Sequence, residues 1–195
     1  MMIESMVYVL LTYLIASIPT GPILAALYAN IDVTQHGSGN IGATNVHRVL
    51  GPRFGIATLI GDSLKGFVPV ALSSMVSDAP WFPPAVAVVA FIGHCWPAYL
   101  EFRGGKGVAT VAGVLLALSP LVTLFAAMTW MIVFLAFKRS SLAALAAALA
   151  IPLLMLALVP SIAWAGGVLA VGLVQRHRAN IGRIISGQEP PMSNQ

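Results

Sequence analysis

Charge is missing from long stretches of this chain, and that absence restricts its fold more than any other feature. PLVTLFAAMTWMIVFLAF, Pro120–Phe137, holds no ionisable side chain. A run of about 20 apolar residues is what crosses a hydrocarbon core about 30 Å thick, and helices satisfy their own backbone there. The same pattern recurs along the chain. Of 195 residues, 58% are hydrophobic and 8% charged, against about 25% charged in soluble domains. These values predict an all-α polytopic membrane helical bundle, one domain over residues 1–195, with no length left for a separate soluble domain.

Seven spans are expected, at about Ile3–Pro22, Phe54–Val76, Ala85–Glu101, Val108–Leu118, Pro120–Phe137, Leu142–Val159 and Ser161–Val174. IPTGP closes the first, and Pro22–Asn30 is apolar enough to prolong the helix or to lie along the interface. The N-terminal MMIESMVYVLL has no basic residue ahead of its apolar run, so it is expected to stay as a span and not to be removed as a signal peptide. The fourth span reaches only about 16 Å at about 1.5 Å per residue, so it must tilt, re-enter or sit in a deformed bilayer. After the seventh comes a basic, helix-like segment and a polar tail expected to fray.

The sidedness follows from the cations. All ten Lys and Arg lie in Gly37–Arg53, residues 103–106, the 138–139 turn or the C-terminal segment, except Lys65 within a span. These regions alternate with basic-free turns at Ser77–Pro84, Ser119-Pro120 and Pro160. The positive-inside rule then puts the N-terminus outside, the C-terminus in the cytoplasm and every polar motif on the cytoplasmic face.

Three polar stretches interrupt the apolar pattern. GSGNIGATNVHR, Gly37–Arg48, has glycines able to turn backbone amides towards an anion, with side-chain donors from Ser38, Asn40, Thr44, Asn45 and Arg48. Gly104-Gly105-Lys106-Gly107-Val108-Ala109-Thr110 puts glycines, a lysine and a threonine at a helix start, a phosphate-friendly arrangement without Walker A spacing. Arg176, His177, Arg178, Asn180 and Arg183 form the third. Each stretch also has a plainer reading: a connecting loop, a glycine-rich hairpin with a positive-inside lysine, and a juxtamembrane helix drawn to anionic lipid. Asp62 and Lys65, spaced i, i+3 in a span, read as a helix-orienting ion pair ahead of a catalytic role, and His94 as a packing residue ahead of a base.

The inventory excludes several chemistries. Cys95 is the only cysteine, so no intrachain disulfide, zinc site or redox pair is indicated. Six scattered acidic residues offer no carboxylate cluster for a metal, and neither Ser38 nor Cys95 has an assigned base. Direct transfer between two bound phosphorylated molecules, without a cofactor, fits this set better than a covalent intermediate.

Ser38–Arg48, GHCWPAYLEFRGGKGVAT (Gly93–Thr110) and HRANIGRIISGQE (His177–Glu189) resemble, in order and spacing, the three signature stretches of the PlsY-type acyl-phosphate:glycerol-3-phosphate acyltransferases of bacteria. DSLKG (Asp62–Gly66) and Ser140-Ser141-Leu142-Ala143 match as well. The resemblance implies acyl transfer from acyl phosphate to the 1-hydroxyl of sn-glycerol 3-phosphate in the cytoplasmic (inner) membrane, with neither cofactor nor metal and no nucleic acid. It implies Ser38, Arg48, Lys106, His177 and Asn180 around the glycerol phosphate, and the Gly104–Gly107 backbone with Thr110 and Ser141 at the donor's phosphate. Gly39, Asn40, Thr44, Asn45, Arg178 and Arg183 would complete the substrate contacts. The rival reading is a phosphate or organophosphate transporter or channel, which should carry inverted repeats or motifs on both faces. A membrane-anchored scaffold is weaker, since it leaves the glycines unexplained. The sequence assigns no oligomeric state.

Overall fold

The structure, a computed structural model, describes residues 2–192. Met1 and the last three residues of the expected frayed tail lie outside the described residues. Among the described residues every regular element is helical, and the chain divides into two compact units, Met1–Leu118 and Ser119–Gln195.

The first unit contains α1 (Met2–Ala16), α2 (Thr20–Ala29), α3 (Ala43–Leu50), α4 (Pro52–Leu72), α5 (Phe82–Cys95) and α6 (Val108–Leu118). The expected first span is a bent pair, α1 and α2 meeting at 41°. The bend falls at Ser17–Pro19, where proline removes a backbone donor. The Ile18 carbonyl, which would face the donorless Pro22, is taken up by Lys65 Nζ at 2.8 Å, and Ser17 Oγ adds a hydrogen bond at 2.8 Å to Tyr13 O, which already accepts from the Ser17 amide. Lys65 also meets Asp62 at 2.9 Å, so the expected ion pair exists and is anchored to the break between α1 and α2.

Within the polar stretch that also reads as a connecting loop, Ala43–Leu50 forms a helix. Eight residues are too few to hold a helix in water alone, and packing supplies the difference. Val46 is fully buried with Ala25 and Val33, and Val49, Leu50 and Phe54 close over them. α4 is the element on which the others converge. Gly55 lets α3 approach, since a Cβ there would overlap His47, and Gly66 and Gly113 let α6 lie against α4 with no room for a side chain between backbones.

The second unit contains α7 (Pro120–Phe137), α8 (Ser140–Leu158), α9 (Ala163–Arg176) and α10 (Arg178–Ile185). The tail does not fray before Met192: the Met192 amide donates to Lys138 O at 2.7 Å, and Arg139 Nε to Glu189 O at 2.9 Å.

Four helical stretches, Pro52–Met75, Phe82–Leu100, Pro120–Phe137 and Ser140–Leu158, are long and apolar enough to cross a membrane, and the bent pair makes a fifth. Their outer faces carry bare apolar side chains such as Leu135, 56% exposed, and Leu153, 69% exposed. In water such surface would be unstable, and in lipid it is matched.

Candidate active site

The polar motifs are built separately in the two units. In the first, residues 36–42 form an irregular loop between a single 3-10 turn, Val33–Gln35, and α3. Ser38 and Arg48 are exposed, and Asn40 and Thr44 are half-buried. Asn40 serves its own loop, its Oδ1 accepting from the Gly42 amide at 2.9 Å. Asn45 is buried, and its carboxamide is tied to the backbone of the loop.

The glycine-rich motif follows a tight reversal at Pro97–Phe102, in which Glu101 and Phe102 have positive φ. The returning strand of chain lies directly on the end of α5. The Gly104 amide donates to Cys95 O and the Gly105 amide to His94 O, both at 3.2 Å. A Cβ on Gly105 would overlap the His94 ring, and one on Gly107 would overlap Phe91. Gly107 has φ +83, a conformation that glycine adopts without strain. His94 is buried with Nδ1 3.8 Å from Asp62 Oδ1, so its ring lies between the buried ion pair and the loop.

Two of the loop's amides are therefore spent on carbonyls. The amide surface left to attract an anion shifts towards the first turn of α6, where Val108, Ala109 and Thr110 have no acceptor within the helix. Lys106 is half-buried immediately before this turn. Thr110 is fully buried, and its Oγ1 has no hydrogen-bond partner among the described residues.

In the second unit Ser141, Asn180 and Arg183 come together on one carboxylate that sequence reasoning had given no role. Glu189 Oε1 accepts from Asn180 Nδ2 at 2.6 Å and from the Ser141 hydroxyl, and Oε2 accepts from Arg183 Nε at 2.7 Å. Burial raises the Glu189 pKa, but the hydrogen bonds from Ser141, Asn180 and Arg183 and the Arg183 charge outweigh it and hold the carboxyl below the usual range. The available signal was rarity, Glu189 being one of six acidic residues in the chain and the only one beside the C-terminal cations.

The tie to Glu189 also fixes the orientation of Asn180. A carboxylate only accepts, so the amide nitrogen faces Glu189 and Oδ1 is directed elsewhere. His177, 2% exposed, is oriented in the same manner. Its Nδ1 is 2.8 Å from Leu173 O, and a carbonyl requires a donor, so Nε2 is the basic nitrogen of the neutral ring. Arg178 is exposed at the start of α10.

The sequence model of the glycerol-3-phosphate acyltransferase family matches residues 6–187. Proteins named glycerol-3-phosphate acyltransferase from Syntrophotalea carbinolica and Geobacter sulfurreducens are 44% and 42% identical, over 94% and 96% of this chain and 95% and 97% of their own lengths. The chain belongs to the glycerol-3-phosphate acyltransferase family. Among solved structures it is similar to PlsY (YgiH), described as an integral membrane glycerol 3-phosphate acyltransferase. In its glycerol 3-phosphate form that protein is 34% identical with a TM-score of 0.91, the match covering 96% of this chain and 94% of that one. In its lysophosphatidic acid form the TM-score is 0.90. The resemblance of the three motifs to PlsY-type acyltransferases is thus met across nearly the whole chain, and the enzyme reading stands over the transporter.

Proposed function

We propose that this glycerol-3-phosphate acyltransferase takes its acyl group from acyl phosphate and delivers it to the 1-hydroxyl of sn-glycerol 3-phosphate, giving lysophosphatidic acid and inorganic phosphate. The observation that carries this reading is the conjunction of three polar motifs with a full-length match to the family. The hydroxyl oxygen attacks the acyl carbonyl, the bond from that carbon to the phosphate oxygen breaks, and the hydroxyl proton leaves with the departing phosphate. Direct transfer of this kind needs no cofactor and no metal.

Lys106 and Arg48 neutralise phosphate charge, and Ser38 adds a donor beside the glycerol phosphate. His177 and Asn180 orient the attacking hydroxyl, Asn180 through its Oδ1 acceptor. The donor's phosphate is assigned to the first turn of α6, with Lys106, Gly107 and Thr110, whereas Ser141, whose one hydroxyl proton goes to Glu189, acts by holding that carboxylate. Gly39, Asn40, Thr44, Gly104, Gly105, Arg178 and Arg183 shape or line the same phosphate-binding surfaces. The chain acts as a single domain over residues 1–195 in the cytoplasmic (inner) membrane. It crosses about seven times, with the N-terminus outside and the site on the cytoplasmic side, as its cation distribution supports. The acyl tail lies between helices at the level of the lipid, beside the short α6.

The test is phosphate release from palmitoyl phosphate by the purified protein, which should require glycerol 3-phosphate. Lys106→Ala should abolish turnover in a protein that elutes and melts as the parent does. Full activity in that variant would remove Lys106 from the site.

A further inference from the structure

Ser38 lies in a turn closed by a single hydrogen bond of its own, from the Gly39 amide to His36 O at 3.0 Å. Gly37 and Gly39, on either side, have φ of +60 and +69, the turn is exposed, and no regular element runs through it. One buried side chain pins it from below. Asn45, in the first turn of α3, is 2% exposed. Its Oδ1 accepts from the Ser38 amide at 2.7 Å, and its Nδ2 donates to His36 O at 3.0 Å and to Val33 O at 3.2 Å. A donor on one side and two carbonyls on the other allow only one orientation of the carboxamide. A Cβ on Gly37 would overlap Oδ1, so the glycine and the asparagine require one another.

The sequence suggests Asn45 as a donor to a bound anion. Both protons of its amide are already given to main-chain carbonyls, and it has none left for a phosphate. Its position serves a different purpose. Arg48 follows one turn later on the same short helix, so a bracket from Asn45 to Ser38 sets a hydroxyl-bearing loop in register with a guanidinium-bearing helix.

We propose that Asn45 is a positioning residue. It does not touch glycerol 3-phosphate, but holds the Ser38 turn so that the Ser38 hydroxyl and Arg48 meet the same substrate. This rests on the reading that places Ser38 against the glycerol phosphate.

The test is a double-mutant cycle on the full-length protein in detergent, with glycerol 3-phosphate and palmitoyl phosphate as substrates and thermal unfolding measured on every variant. Asn45→Ala removes all three hydrogen bonds. Asn45→Asp keeps the size and the acceptor for the Ser38 amide but turns a carboxylate oxygen on two carbonyls, and it decides the matter if the alanine variant does not fold. Either is expected to lower kcat about 100-fold, the loss that about 1 Å of misplacement brings, with the same split between kcat and KM as Ser38→Ala. Combined with Ser38→Ala, the loss should stay within about twofold of Ser38→Ala alone, because both changes remove one function. Ser38→Thr serves as the second corner if the alanine variant lies below detection. Parental kcat in folded Asn45 variants, or losses that multiply in the double variant, would overturn the proposal and leave Ser38 in the site. Parental activity in Ser38→Ala would instead remove the reading of the site on which the proposal rests.

Discussion

Glu189 shows how much can depend on a residue with no evident chemistry of its own. It is 7% exposed and gathers Ser141, Asn180 and Arg183 onto one carboxylate, so the groups assigned to substrate are held by an internal anion. Replacing it by Gln preserves shape but sets an amide against donors that need an acceptor, a change expected to cost about 1–3 kcal/mol. Chemical or thermal unfolding in detergent measures that loss. The pH dependence has a defined sign. A carboxyl whose folded pKa lies below its ordinary value of 4.5 stabilises the fold above that value and loses its contribution as the pH falls through the lower, folded pKa. The parent's melting temperature should therefore drop as the pH is lowered from about 5 to about 3, and the drop should be smaller in Glu189→Gln. An equal drop in both would show that Glu189 is not the group responsible. Residue identity alone suggested donors at Ser141, Asn180 and Arg183, but their common acceptor is six or more positions away from each and became visible only in the folded chain.

Among the elements of the first unit, α4 organises the most. α3 packs near its start at Gly55, and α6 packs farther along at Gly66, about 16 Å up the axis at about 1.5 Å per residue. The motif-bearing segments are thus indexed against one helix, with small residues allowing backbones to touch as membrane helices require. A Cβ on Gly113 would run into Ser63 O, whereas one on Gly167 of α9 would meet nothing within 4 Å. Gly113→Val is accordingly expected to destabilise by about 1–3 kcal/mol through overpacking. Gly167→Ala should be neutral or stabilising by up to about 1 kcal/mol, since alanine is the better helix former. Thermal unfolding of the two variants beside the parent compares them directly, and equal melting temperatures would contradict the close packing of α4 with α6. Helix positions were largely legible: α6 and α7 begin and end where the apolar runs and Ser119-Pro120 predict. α3 was not, because eight residues in a glycine-rich setting owe their helix to Ala25, Val33 and Phe54, not to propensity.

For the whole molecule, the distribution of cations predicts a single topology. Single cysteines introduced into a Cys95→Ala background at Asp78 and at Gln188 should label from opposite sides of the membrane, Gln188 from the cytoplasm. Labelling from the same side would overturn the seven-span arrangement and the cytoplasmic placement of the motifs. The sequence by itself determined that this chain is helical, lives in lipid and carries phosphate-friendly motifs, because apolar runs and short-range glycine and cation patterns are local properties written in consecutive residues. Tertiary structure alone decided which donors are already spent. Gly104 and Gly105 give their amides to the end of α5, Asn45 gives its carboxamide to the Ser38 turn, and Asn180 gives its amide nitrogen to Glu189. A hydrogen-bond donor satisfies one partner at a time, and which partner it finds depends on what the fold brings within about 3 Å.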